Sequence, residues 1–235
     1  MARMAAIPLQ QDVEYPYSDG QPMAESEIHQ SEMLDLIAAL RRRYQDHSDV
    51  YVAGNMFLYY RKGDPRSVVA PDVFLVRGVS KRKRKSYKLW EEGRVPSLVI
   101  EVTSDSTSDE DVGKKKACYE MLGVEEYILH DPEGDYLKPR LQGYRLVQGR
   151  YEPIPRRTDG SLESRVTGLT LHIEGKNLRL IDTATGERLP WVDELVDQVL
   201  ELGDQVREQD DRLREQDDRI QALEAELARL RATSE

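Results

Sequence analysis

An α/β fold, a mixed β-sheet flanked by helices with a C-terminal coiled-coil helix appended, is predicted by three features of this 235-residue chain. Two apolar, β-prone runs at residues 98–103 and 126–130 bracket a helical segment, and such a strand–helix–strand crossover favours parallel pairing. Runs near 141–147, 151–154 and 169–173 add shorter strands to the same sheet. After Pro190 apolar residues recur every seventh position, which divides the chain into a domain at 1–190 and a helix at 191–235. A hydrophobic content of 39% suffices for one packed core and such an appendage.

In chain order, residues 10–21 hold Pro16, Gly20 and polar side chains and read as an irregular arm. From Glu25, Ile28, Met33, Leu36, Ile37 and Leu40 recur at helical spacing, so a first helix runs to about Tyr44. Residues 51–60 are rich in Val, Phe and Tyr and end at the turn signal Lys62-Gly63-Asp64-Pro65, which makes a hairpin with the next strand, 68–76. Ser108 and Asp111 resemble a capping signature for a helix at 109–122, and Gly123 closes that helix. The strand at 126–130 is stopped by Asp131-Pro132.

The C-terminal seam has Val192, Val199, Val206, Leu213, Ile220 and Leu227 at one heptad position. Leu195, Leu202, Gln209, Gln216, Leu223 and Leu230 follow three residues later. Branched residues at the first position with Leu at the second favour a two-stranded coil, while the two glutamines would fix register at a cost in stability. In a parallel pair Arg212 meets Asp217, Arg219 meets Glu224 and Glu226 meets Arg231, each opposite in sign. A homodimer through residues 192–230 is the expectation; the plainer reading is one amphipathic helix lying back on the domain.

Composition narrows the function classes. No stretch of eighteen apolar residues and no apolar leader behind a basic start is present, so a cytoplasmic protein without a membrane span is expected. A single cysteine, Cys118, rules out an internal disulfide or a zinc–thiolate cluster, and it reads as a small packed side chain. The net charge of -10 argues against coating nucleic acid over the whole surface. It leaves room for a local basic site, and Lys81, Arg82, Lys83, Arg84, Lys85 and Lys88, with Tyr87 and Trp90 alongside, form one. Such a run is either a solvated loop or a binder of backbone phosphates; Tyr87 and Trp90 could stack on bases, with core packing the plainer use of Trp90.

Two acids interrupt apolar strands: Asp72 after Pro71, and Glu101 within Leu98-Val99-Ile100-Glu101-Val102. An unpaired buried carboxylate costs several kcal/mol, so a partner or a metal is expected at each, though structural ion pairs bury acids too. As chemistry, the pair offers hard oxygen ligands to Mg²⁺ or Mn²⁺, with a lysine from the triplet Lys114, Lys115 and Lys116 nearby to orient or deprotonate water and stabilise a phosphate. His130, with no second His beside it, reads as a hydrogen-bonded structural residue.

These residues resemble the PD-(D/E)XK nuclease superfamily, whose pattern is Pro-Asp on one strand and Glu-x-Lys on the next. Pro71-Asp72 and Glu101-Val102-Thr103 fill those slots, with Thr103 where the lysine belongs. The match is closer to the Uma-type restriction endonuclease family, with Lys115 four before Tyr119, then Gly123-Val124-Glu125-Glu126-Tyr127 and Asp131-Pro132. That resemblance implies a restriction-endonuclease-like core and a metal-dependent endonuclease acting on DNA. It implies Asp72 and Glu101 as metal ligands and Lys115 as the lysine moved from strand to helix. It further suggests an acid on the first helix: residues 18–25 followed by His29 look like that family's entry, with Glu25, Glu27 and Glu32 as candidates. The competing reading is a catalytically degenerate nuclease fold that binds or scaffolds through its coiled coil, and Thr103 is its support.

Overall fold

The computed structural model describes residues 13–18, 26–105 and 107–232. It divides into two compact units, Met1–Leu189 and Pro190–Glu235. The first opens on α1 (Glu27–Arg43), capped by the Ser26 side chain, which accepts from the His29 N–H at 3.2 Å. Then come β1 (Val50–Ala53), β2 (Leu58–Tyr59), β3 (Val68–Val69), β4 (Val73–Arg77), β5 (Tyr87–Lys88), α2 (Leu89–Glu92) and β6 (Leu98–Val102). A helical segment follows, made of α3 (Ser108–Glu110), a π-helical turn (Asp111–Lys115) and α4 (Lys116–Leu122). The unit ends with β7 (Glu126–His130), β8 (Leu141–Val147), β9 (Arg150–Pro153), β10 (Leu162–Ser164), β11 (Leu169–Glu174) and β12 (Asn177–Asp182).

The main sheet has the order β1-β4-β6-β7-β8-β9, and β6 with β7 is its one parallel pair. That is the crossover expected from the sequence, closed by Gly123 in the left-handed conformation at φ 85. Period-two alternation sends successive side chains to opposite faces. Val73, Leu75, Leu98, Ile100 and Ile128 pack with Leu36 and Leu40 of α1, whereas Phe74, Val76, Val99, Tyr127 and Leu129 pack with Tyr119 of α4. Covering both faces explains why these strands read as continuous apolar runs. Glu101 shares the parity of Val99, so the pleat aims it at the α4 side, where it is fully buried.

Three expectations change. Residues 51–60 break at Gly54 and Asn55: β1 joins the main sheet, while β2 pairs with β3 and β5 in a second, three-stranded sheet. The strand at 169–173 belongs to a third sheet, β10-β11-β12, which covers α1 through Leu171, Leu178 and Leu180. The capping signature does not form, because Thr107 precedes the helix and Asp111 turns inward. The second unit is α5 (Val192–Ala232), along which Val199, Val206, Leu213, Leu223 and Leu230 lie exposed. No helix among the described residues is long and apolar enough to cross a membrane.

Candidate active site

Asp72 stands just before β4 and Glu101 lies in β6, brought side by side by the pairing of Val73 with Ile100. The Val102 N–H donates to Asp72 Oδ2 at 2.8 Å, and the Asp72 N–H donates to Glu101 Oε2 at 3.2 Å. Each acid is therefore tied to the other's strand. Behind them, a Cβ on Gly54 would lie 1.9 Å from the Asp72 carbonyl oxygen, so only glycine permits this approach of β1's end to the Asp72 segment. The Asn55 N–H donates to the Pro71 carbonyl at 2.9 Å and pins the same segment.

The helical segment supplies the cation. Lys115 Nζ lies 3.0 Å from Glu101 Oε2 and 2.9 Å from Asp111 Oδ1, and the Tyr119 hydroxyl donates to Glu101 Oε1 at 2.8 Å. In an ordinary α-helix each four-residue step rotates a side chain by about 40°, so Asp111, Lys115 and Tyr119 would drift apart around the axis. The wider π turn offsets one of those steps. All three then face the sheet, Asp111 and Tyr119 fully buried, and the Tyr127 hydroxyl donates to the Asp111 carbonyl at 2.9 Å.

The charges are unevenly balanced. Burial, reinforced by Asp72 and Asp111, pushes the Glu101 carboxyl well above the usual range despite Lys115. Burial likewise raises Asp111 against the pull of Lys115. For Asp72, burial acts upward, but His29, Lys115 and the Val102 N–H outweigh it and hold the carboxyl low. Lys115 is driven up, because three acids overcome the burial that would depress it. It stays an ammonium near neutral pH.

From the sequence, Asp111 and His29 have no role at the site, Asp111 standing there in a cap and His29 after the first-helix entry segment. Asp111 lies four before Lys115, an acid-then-base spacing that a helix brings together. His29, in the first turn of α1, places Nε2 3.4 Å from Asp72 Oδ1, and no local signal ties residues so far apart in sequence. Of the acids considered on this helix, Glu25 lies outside the described residues and Glu27 is exposed. Glu32 is buried elsewhere: it accepts from the Leu178 N–H at 2.7 Å and sits 3.5 Å from His130 Nε2. Burial pushes Glu32 up to about 8 and His130 down to about 4. His130 Nε2 also lies 3.0 Å from the Lys176 carbonyl, so this histidine ties β7 to the turn between β11 and β12.

The basic run is largely engaged by its own chain. Glu92 takes Arg82 at 2.6 Å and Arg84 at 2.8 Å, Glu91 takes Lys88 at 3.1 Å, and Lys81 donates to the Tyr44 and Gln45 carbonyls. Lys85 lies over the Tyr17 ring and Lys83 is exposed. Tyr87 is fully buried with its hydroxyl on the Arg94 carbonyl, so it cannot stack on a base. Trp90 packs on Tyr15. Cys118 is half-buried, and burial raises its thiol.

A mixed sheet with acids at neighbouring positions of two adjacent strands and a lysine brought to them defines the restriction-endonuclease-like class. Residues 1–174 match the family described as "Uma2: Putative restriction endonuclease", and the chain belongs to that family. Among solved structures, it is similar to a "putative nuclease" from Anabaena variabilis, at 16% identity and a TM-score of 0.44, over 64% of this chain and 81% of that one. No curated protein matches it.

Proposed function

We propose that this chain is a Mg²⁺- or Mn²⁺-dependent endonuclease that hydrolyses phosphodiester bonds in DNA, in the cytoplasm. Asp72 and Glu101 hold the cation, and Lys115 orients the attacking water and stabilises the charge developing on the phosphate. The observation that carries this reading is the 3.0 Å approach of Lys115 Nζ to Glu101 Oε2. It supports the helix supplying the ammonium that Thr103, buried two residues after Glu101, cannot.

The donor set suits a hard cation: it is all oxygen, and Mg²⁺ needs only one or two carboxylates because it keeps several waters. Asp72 and Glu101 would supply those carboxylates, set side by side by the pairing of Val73 with Ile100. Asp72, Glu101 and Asp111 share one ammonium, and with the Glu101 and Asp111 carboxyls both raised the site resists carrying all three negative charges, a resistance that a divalent cation would relieve. Such an ion would polarise the phosphoryl group and screen the charge growing on it. Lys115, raised as it is, serves as a fixed hydrogen-bond donor and not as a base. His29 and the Val102 N–H hold Asp72 ionised and oriented.

The exposed apolar seam of α5 supports homodimerisation through residues 192–230, which would bring two sites to one duplex. Leu213→Asp is expected to turn a sedimenting dimer of the 27.1 kDa chain into a monomer. The basic residues Lys81, Arg82, Lys83, Arg84, Lys85 and Lys88 flank the substrate path in this reading, with Lys83 and Lys85 the most available.

Nicking of supercoiled plasmid with Mg²⁺ or Mn²⁺ tests the proposal, run beside Asp72→Asn and Glu101→Gln. Metal-dependent nicking lost at least about a hundredfold in both supports it. Nicking that survives Asp72→Asn overturns the site. The competing scaffold reading draws on the double ion pair already engaging Lys115, and it expects no cleavage of any substrate with any metal.

A further inference from the structure

The chain carries a net charge of -10, yet one cavity reverses that sign. It has a volume of about 470 Å³ and runs along the open edge of the main sheet, where β1 is the outermost strand. Arg41, Lys81, Lys83 and Arg84 line it, and among the described residues no acid does. Arg84 is neutralised by Glu92, whereas Lys81 meets only carbonyl oxygens and Arg41 Nε donates to the Val52 carbonyl at 3.1 Å. Among the described residues, then, Arg41, Lys81 and Lys83 face the cavity with no carboxylate partner.

The remaining wall is apolar and aromatic: Val50, Val52 and Met56, with the Arg84 guanidinium lying 4.3 Å over the Tyr51 ring. Uncompensated cations beside an apolar wall and a planar guanidinium suit a ligand with an anionic end and a flat, weakly polar end. The volume falls in the range of sites that enclose a compact small ligand. A peptide adding as a strand to this edge is disfavoured, because Arg41 occupies the Val52 carbonyl that such a strand would need.

We propose that this cavity binds a nucleotide unit, its phosphate against Arg41, Lys81 and Lys83 and its base against Met56 and the Arg84–Tyr51 stack. That the nucleotide belongs to the strand being cut rests on the nuclease reading; nucleotide binding itself does not.

The test is fluorescence anisotropy with a 5′-labelled ten-nucleotide thymidine strand in EDTA, where nothing is cleaved, with adenosine monophosphate as competitor. Lys83→Glu, at an exposed position, is expected to weaken binding at least about tenfold and to lower the salt slope by about one. Arg165→Glu, an exposed charge reversal outside the cavity lining, is expected to stay within about twofold of wild type. Met56→Trp, which fills the cavity without altering charge, is expected to abolish competition by the mononucleotide. Binding by Lys83→Glu within twofold of wild type, or an equal loss in Arg165→Glu, overturns the proposal. Wild-type binding of this pattern without any cleavage upholds the cavity and sinks the nuclease reading; cleavage with unimpaired Lys83→Glu binding does the reverse.

Discussion

The basic run at 81–88 and the acidic centre around Glu101 are both charge clusters, and they differ in where their partners come from. In the run, Arg82, Arg84 and Lys88 find Glu91 and Glu92 within ten residues along the chain, so a patch conspicuous in sequence is largely neutralised at home. In the centre, Asp72, Glu101, Asp111 and Lys115 come from three separate elements, and the cation count falls short of the acid count. Charge density along a chain therefore says little about free charge. What matters is whether burial brings unlike numbers of opposite charges together.

Lys115→Ala should break the contrast most severely. It leaves buried Glu101 and Asp111 without a counter-charge, and such losses cost about 3–5 kcal/mol. Thermal denaturation should show the fall, and plasmid nicking should drop about 10²- to 10³-fold. A variant that melts like wild type would show that the ion pairs are not what holds the centre. Gly54→Ala comes next: its Cβ would meet the Asp72 carbonyl at 1.9 Å, and a displacement near 1 Å can cost about a hundredfold in rate. Unchanged nicking in this variant would mean that Asp72 is not held by that contact.

The buried Glu32–His130 tie sharpens the comparison, since it pairs two groups that burial keeps uncharged. Glu32, raised to about 8, binds its proton more tightly folded than unfolded. Its contribution to stability is full below about 4.5 and is lost as pH rises through about 8. Glu32→Gln removes that loss, so its melting temperature relative to wild type should climb between pH 6 and 9. A flat difference would show that Glu32 does not titrate with folding. His130, lowered to about 4, acts in the other direction, its contribution being lost as pH falls from 6.5 through about 4. The smallest effect is expected for Arg82→Ala, whose side chain is 61% exposed: about 0.5 kcal/mol or less by denaturant titration, since water screens the pair.

Much of the centre was legible because its residues sit in local patterns. Pro71-Asp72, Glu101 within an apolar strand and Lys115 four before Tyr119 each show in a short window, as does the crossover that Gly123 closes. Asp111 was misread as part of a cap, because ordinary helical period leaves it off the face of Tyr119 and only the π turn brings it back. His29 shows in the first-helix entry segment, but its contact with Asp72 does not. Its partner Asp72 is reached through the packing of α1 on the sheet, which no window of the chain contains. The break at Gly54-Asn55 falls inside residues 51–60, which read as one run, because its cause, the crowding against Asp72, is tertiary. In the run at 81–88 the density of charge shows in sequence but its availability does not, because Arg82, Arg84 and Lys88 are engaged by Glu91 and Glu92 just beyond it while Lys83 stays exposed.

Whether the shortfall of positive charge around Glu101 is a metal site is best tested by calorimetric titration of Mn²⁺ into the wild-type chain, Asp72→Asn and Lys115→Ala. Binding at one site per chain is expected in the wild type, weakened at least about tenfold by Asp72→Asn. Equal affinity in wild type and Asp72→Asn, or no binding in any of the three, would contradict a metal-dependent centre built on Asp72 and Glu101.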